Sequence, residues 1–387
     1  MFSMIGTIMK LIRNLLVFQL CLILPCVYSA TTQPNRRPFK ILHLTYHMGC
    51  LKEIEKVAQE LSLDITPWFI LANRKEFDGQ TSTNAIYNIS HERAENIWNR
   101  HKDIFDMYDA ILISDTAPLS RIFLQHHWKK PLVIWVCNRF DYYDEVTNDG
   151  GFPDTEYYDL FRKAYYLPNV HIVSSTPYEY IHAAVHGVPI GDRVIRSIGS
   201  RETNYRNGNQ TYIPASVNKE ETLMLPNMAI FTDFGSTQYI VHQCRSHGIN
   251  VYSGRYNGPY ELKEFKGILY FPYQWWTASM YENIQMGLIH FVPSKTFVEN
   301  SAKEGKMIIR GYNYCCFNPL FYEYGEFYCP ENRDCFVYFD SWQDLAQKIQ
   351  TTDYQAKKEY ILNFADNHRN TMLSRWKELF DNIQATQ

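Results

Sequence analysis

Phe39-Lys-Ile-Leu-His-Leu-Thr-Tyr46, then His47-Met48-Gly49, then Leu51, Ile54, Val57, Ala58 and Leu61 at helical spacing: this opening decides the fold. An apolar run of strand length, a tight turn and an amphipathic helix make one β-turn-α unit. The unit repeats along the chain. Asp64–Ile70, Asp109–Ser114, Pro131–Cys137, Val170–Ser174 and Arg193–Ile198 read as strands, and Arg93–Phe105, Pro118–His127, Thr155–Tyr166 and Tyr178–His186 as helices between them. Strands fed by helices predict a parallel sheet covered on both faces.

The polar stretch 201–224 breaks the pattern and reads as a linker. Alternation resumes with Met228–Thr232, Tyr239–His247, Asn250–Ser253, Gly267–Phe271, Ser279–Met286 and Ile289–Val292, and closes with the strand Cys335–Phe339 and helices from Trp342 and Tyr354. The expectation is α/β, with two tandem Rossmann-like domains facing across a cleft, 31–200 and 225–352, and a terminal helix over 353–387. Ligands then sit beyond the carboxyl ends of the strands. That places the loops His47–Cys50, Asp115–Pro118, Asn138–Asp144, Thr232–Gln238, Gly254–Tyr260 and Pro272–Ser279 at the cleft.

Composition narrows the function. The chain has 387 residues, 45% hydrophobic and 20% charged, as globular proteins do. Its net charge of −3 lacks the basic excess that nucleic acid requires, so no nucleic-acid partner is expected. Aromatics reach 16%, and flat amphipathic rings suit carbohydrate or protein contacts as well as cores. Residues 1–30 carry Lys10, Arg13 and the apolar run Leu15–Leu24, broken by Pro25, and read as a signal peptide or a short membrane anchor. Both readings deliver the body to the secretory lumen, in the ER or Golgi or outside the cell. The sequons at Asn88 and Asn209 fit that location. So do Cys315, Cys316, Cys329 and Cys335, expected as two disulfides joining the vicinal pair to the later two. Cys50, Cys137 and Cys244 are expected as isolated buried thiols.

Several chemistries are excluded. No G-x-G-x-x-G follows the first strand, and no P-loop, H-E-x-x-H or G-x-S-x-G occurs. No Asp-x-Asp is present to hold a divalent ion on a diphosphate, so no metal and no cofactor is expected.

The segment Tyr273–Ser294 carries the functional signal: Glu282, then Gly287, then an apolar strand closing on Val292-Pro293. It resembles the donor-site pattern of GT-B glycosyltransferases of the family 1 and family 4 type. Phe336–Ile349 with its following helix resembles the end of that fold, and Asn138-Arg139-Phe140-Asp141 resembles a motif of GT-B-like proteins. The first Glu of the retaining pattern falls at Gln274, a departure. The resemblance implies a glycosyltransferase moving a sugar from a nucleotide-sugar substrate to a glycan or glycoprotein without a required metal, with 31–200 taking the acceptor, 225–352 taking the nucleotide sugar, and the terminal helix crossing back to the first domain. The alternative is a non-catalytic GT-B-like protein that binds a carbohydrate or a partner.

The resemblance and the post-strand loops nominate site residues. His47 and Asp141 are the catalytic candidates. His47 either takes the acceptor proton or bonds a loop carbonyl, and Asp141 either serves as base or orienter, as Asp144 could, or pairs with Arg139. Gly49, Gly235, Ser236, Arg255, Thr277, Ser279 and Glu282 are the donor-binding candidates. Amides near Thr277 and Ser279 face the diphosphate, and Glu282 either accepts the ribose hydroxyls or closes a capping box with Ser279. Gly254 admits close approach to Arg255 and the diphosphate, and Gly235 and Ser236 add amides and a hydroxyl. Trp275 and Trp276 stack on the ligand or pack in the core.

Overall fold

The computed structural model describes residues 37–79, 89–141, 154–200, 213–226, 234–256, 258–272, 275–304 and 322–386. The N-terminal segment, both sequon asparagines, Asp144, Gln274, Cys315 and Cys316 lie outside these. Among the described residues no helix is long and apolar enough to cross a membrane.

In the first half, β1 (Lys40–Thr45), β2 (Asp64–Phe69), β3 (Ala110–Asp115), β4 (Leu132–Val136) and β5 (Val170–Ser174) form a parallel sheet in the order β2-β1-β3-β4-β5. In the second, β6 (Leu223–Pro226), β7 (Val251–Gly254), β8 (Gly267–Leu269), β9 (His290–Pro293) and β10 (Phe336–Phe339) run β10-β9-β8-β6-β7. Counted within each half, both orders are 2-1-3-4-5, the doubly wound arrangement. Every residue of β3 and β4 is buried, which is why β4 reads as an unbroken apolar run and β3 as one over Ala110–Ile113. The helices used below are α1 (Met48–Leu61), α2 (His91–Phe105), α3 (Thr155–Ala164), α4 (Pro177–Val185), α5 (Phe234–Ser246), α6 (Ala278–Gln285) and the terminal α7 (Tyr354–Ala385).

Helix α7 performs the expected return. Its first part buries Ile361 and Ala365 in the core of the second half. Further along, Met372, Trp376, Leu379, Phe380 and Ile383 cover the face of the first sheet that carries Ile41, Leu112, Val133 and Trp135. Each such side chain contributes about 1.5–3 kcal/mol on burial. This is the GT-B-like architecture anticipated above.

Three expectations are corrected. Arg193–Ile198 is not a strand: only Val194 bridges Ser174. Its polar groups serve other partners, with Glu53 accepting from the Ser197 hydroxyl (2.8 Å) and the Ile198 amide, and His368 Nε2 donating to the Ser197 carbonyl at 2.8 Å. Pro118–His127 splits into a 3-10 turn over Ala117–Ser120 and one short helix, Arg121–Leu124. Cys329 and Cys335 are free thiols. Cys335 packs in the second core, and Cys329 Sγ faces the Glu326 carbonyl at 3.7 Å. The thiols of Cys50, Cys137 and Cys244 are buried as expected.

Candidate functional site

The strand order reverses between β1 and β3, and again between β6 and β8, so the carboxyl ends of these strands are where a ligand crevice forms. On the first half that locus is His47 and Asp115. On the second it is the loop entering α6.

His47 caps α1. Its Nδ1 accepts the amide protons of Gly49 (3.1 Å) and Cys50 (3.4 Å), and its backbone is extended as an N-cap requires. Donor atoms of His47, Cys50 and Asp115 all lie within 4.8 Å of one another, with the imidazole exposed and the other two buried. Asp115 ends β3 in the left-handed region, φ 68°, a strained backbone for a residue with a side chain. Burial raises its pKa, against the opposing pull of His47, Thr116 and Asn138. For His47, burial lowers the pKa, but Cys50, Asp115 and Glu282 outweigh it and carry it to about 9. A charged ring cannot accept the Gly49 and Cys50 amides, so cap and charge are mutually exclusive states.

The end of α6 meets this locus. Thr277, not Ser279, is its N-cap: Thr277 Oγ1 accepts from the Met280 amide at 3.2 Å, and Ser279 merely donates its hydroxyl to Thr277 at 3.2 Å. The Ser279–Glu282 capping box is therefore absent. Glu282 instead points across to the first half, where Ser200 Oγ donates to its Oε1 at 3.0 Å. Burial raises its pKa, while Ser200 and His47 pull it down. Gly49 allows the two helix ends to meet, since a Cβ there would lie 3.2 Å from Ala278 Cβ and 2.8 Å from the His47 ring. Gly199, at φ 69°, is equally constrained: a Cβ would lie 2.6 Å from the Tyr281 carbonyl oxygen of α6.

Neither α1 nor α6 has an acidic residue in its first turn. Two positive dipole ends thus face one another. Behind them Glu53, buried on α1, is lifted by burial to about 8. Tyr256 is lifted to about 12 by burial and by Glu282.

The remaining candidates separate. Asp141 does not join the His47 cluster; it is 1% exposed and held by the Tyr158 hydroxyl and by His182 Nε2 at 2.8 Å. Arg255 follows β7 and is exposed. Gly235 and Ser236 fall in the first turn of α5, with side chains outside the description. Both tryptophans pack: Trp275 stacks on Tyr178 at 3.6 Å between centroids, and Trp276 Nε1 donates to the Cys137 carbonyl at 2.7 Å. They sew the halves together, as does the buried ion pair of Arg196 Nε with Glu326 at 2.8 Å. Two grooves of about 450 and 420 Å³ flank this seam, share Arg196, Glu331 and Arg375, and include none of the site residues.

Asp115, Cys50, Ser200 and Tyr256 were missed as site residues. Asp115, Cys50 and Tyr256 lie in loops already placed at the cleft, and Asp115 also follows the apolar run Ala110–Ile113 closely; Ser200 had no signal.

No family model and no curated protein matches the chain. Solved structures do. The Arabidopsis thaliana enzyme UGT89C1 complexed with UDP aligns at 9% identity over 90% of this chain and 99% of its own, TM-score 0.47. The glycotransferase of kitacinnamycin aligns at 9% over 90% and 100%, TM-score 0.45. A UDP-GlcNAc 2-epimerase from Neisseria meningitidis bound to UDP-GlcNAc aligns at 12% over 87% and 100%, TM-score 0.39. These are likenesses of outline, and the sheet orders and the returning helix carry the fold.

Proposed function

We propose that this chain is a glycosyltransferase that seats the diphosphate of a nucleotide sugar between the amino ends of α1 and α6 and passes the sugar to a hydroxyl acceptor. The observation that carries the reading is the convergence of two acid-free helix ends beside a His–Asp pair. Helix ends supply amides and positive potential to phosphate, so the donor requires no metal for its charge. Glu282, aimed at the cleft, accepts ribose hydroxyls.

The cap on α1 sets the catalytic cycle. With Nδ1 accepting two amides, the neutral imidazole keeps its proton on Nε2 and cannot act there as a base. A phosphate oxygen that claims the Gly49 and Cys50 amides releases the ring. The ring then exchanges its Nε2 proton with solvent for one on Nδ1, Nδ1–H turns to Asp115, and the Nε2 lone pair takes the acceptor hydroxyl proton as the acceptor oxygen bonds the sugar and the nucleoside diphosphate leaves. Donor binding thereby arms the base. The acceptor class we infer, a glycan or glycoprotein in the secretory lumen, rests on the leader-like residues 1–30 and the sequons.

The test is a melting series of the full chain with UDP, GDP, ADP and dTDP, followed by transfer assays with the corresponding sugars. A nucleotide at 100 times its Kd stabilises by about 2.7 kcal/mol. No shift with any nucleotide overturns the reading. A shift without transfer to any glycan leaves the donor site standing and favours the non-catalytic alternative.

A further inference from the structure

A second cluster of metal-type ligands lies outside the site just described. The donor atoms of Asp141, His182 and His186 are all within 4.8 Å of one another. His182 and His186 are four residues apart at the end of α4, so their rings leave the same side of the helix, 4.3 Å between centroids. Asp141 is brought to them by the loop after β4. Arg139 turns that loop through φ 44°, and its amide donates to Glu179 Oε2 of α4 at 2.7 Å. Phe140, fully buried, packs 5.9 Å from the His182 ring and 6.3 Å from that of His186. Asp141 and His182 are 1% and 5% exposed, and His186 is half-buried.

We propose that Asp141, His182 and His186 form a site for a divalent transition metal, of the zinc class, that pins the β4 loop to α4. Two imidazoles from one helix and a carboxylate from a separate loop are a ligand set for Zn²⁺ and its neighbours, and too rich in nitrogen for Ca²⁺ or Mg²⁺. An outer-shell partner is already in place: His186 Nδ1 donates to the His182 carbonyl at 2.8 Å, which fixes the ring so that Nε2 is the metal-binding atom. Bonds of about 2.0–2.2 Å put tetrahedral donors roughly 3.3 Å apart, so no pair has to close by more than about 1.5 Å through side-chain torsions. The half-buried His186 leaves the fourth position to water. The role is structural: Tyr178, on the same helix, stacks on Trp275 across the seam, so a cation there steadies the loop that leads into α6.

The full chain is stripped with a chelator and titrated with Co²⁺, then with Zn²⁺. The expected result is one equivalent of Co²⁺ with visible d–d bands, no thiolate-to-cobalt charge transfer, and displacement by Zn²⁺. X-ray absorption of the Zn²⁺ form should show nitrogen and oxygen neighbours with imidazole scattering. His186→Ala and Asp141→Asn should weaken binding by more than the roughly 10–100-fold that loss of an outer partner costs. Cys50→Ser should leave it intact. Failure of the stripped wild-type chain to bind either metal overturns the proposal. So does a thiolate band or a sulfur neighbour, which places the cation at His47, Cys50 and Asp115 instead. The absorption measurement needs no variant, so misfolding of His186→Ala does not blunt the test.

Discussion

Glu282→Gln separates a donor-binding carboxylate from a structural one. In the free protein Glu282 is half-buried, accepts from Ser200 at 3.0 Å, and has its pKa raised chiefly by burial. A raised folded pKa means that the group favours folding when protonated; that contribution is present below the unfolded value of about 4.3 and is lost as pH rises through the folded one. At neutral pH the ionised carboxylate is therefore a cost. Glutamine keeps the shape and the acceptor for Ser200 without the charge, so the variant should melt at or above the wild-type temperature at pH 7. At acid pH the difference should vanish. Nucleotide binding should move the other way. Charge-assisted bonds to two ribose hydroxyls are worth roughly 1.5–3 kcal/mol, which is about 10–150-fold in Kd. Calorimetric titration with UDP and GDP, each against its 2′-deoxy form, reads this directly: wild type discriminates and the variant does not. A Gln variant that melts lower yet binds all four ligands as wild type does would refute the reasoning.

Three further outcomes follow from the same geometry. Thr277→Ala should cost about 0.5–2 kcal/mol in denaturant unfolding, the usual loss of an N-cap, whereas Ser279→Ala should cost less; the reverse order contradicts the capping assigned to α6. The pH profile of kcat/KM should rise with pH through a limb near 9 as His47 becomes neutral, and Glu282→Gln, which removes one of the carboxylates raising that pKa, should move the limb to lower pH; a limb unmoved in Glu282→Gln contradicts the coupling. Nucleotide binding should take up protons and tighten as pH falls, measured by calorimetry in buffers of differing ionisation heat; proton release on binding contradicts it.

The strands were legible because parallel sheets bury both faces and leave apolar runs with sharp ends. Pro131–Cys137 was expected and Leu132–Val136 is found; the opening run ends at Thr45 as its turn demanded. Of the candidate site, place was legible and role was not: His47 follows β1 and Glu282 lies on α6. Which hydroxyl caps α6 was not readable, since Thr277 and Ser279 are two residues apart and the backbone alone decides between them. Asp115 was not readable as a partner of His47 because the contact joins residues from different strands of the sheet. Asp141 misled because its neighbours, Tyr158 and His182, come from α3 and α4 and enclose it away from the cleft. The cysteines misled because counting and compartment say nothing of packing, and packing buries Cys329 and Cys335 as thiols.

The proton uptake comes from a tension built into the site. An anion-binding pocket would not ordinarily be lined with carboxylates, yet Glu53, Asp115 and Glu282 surround the facing ends of α1 and α6. Burial raises the pKa of all three, Glu53 to about 8, so Glu53 is largely uncharged near neutrality. The two dipole ends, each about half a positive charge, are left to be answered by whatever enters. An entering diphosphate adds negative charge within a few ångströms of the same carboxylates and raises their pKa values further. Protons must then bind with the ligand, and by linkage the affinity grows as pH falls. Product diphosphate is held by the same amides, so its release returns those protons and lets His47 resume the cap on α1. The site thus gains charge complementarity when loaded, and the histidine that does the chemistry is, in its neutral form, the group that occupies the phosphate amides while the site waits.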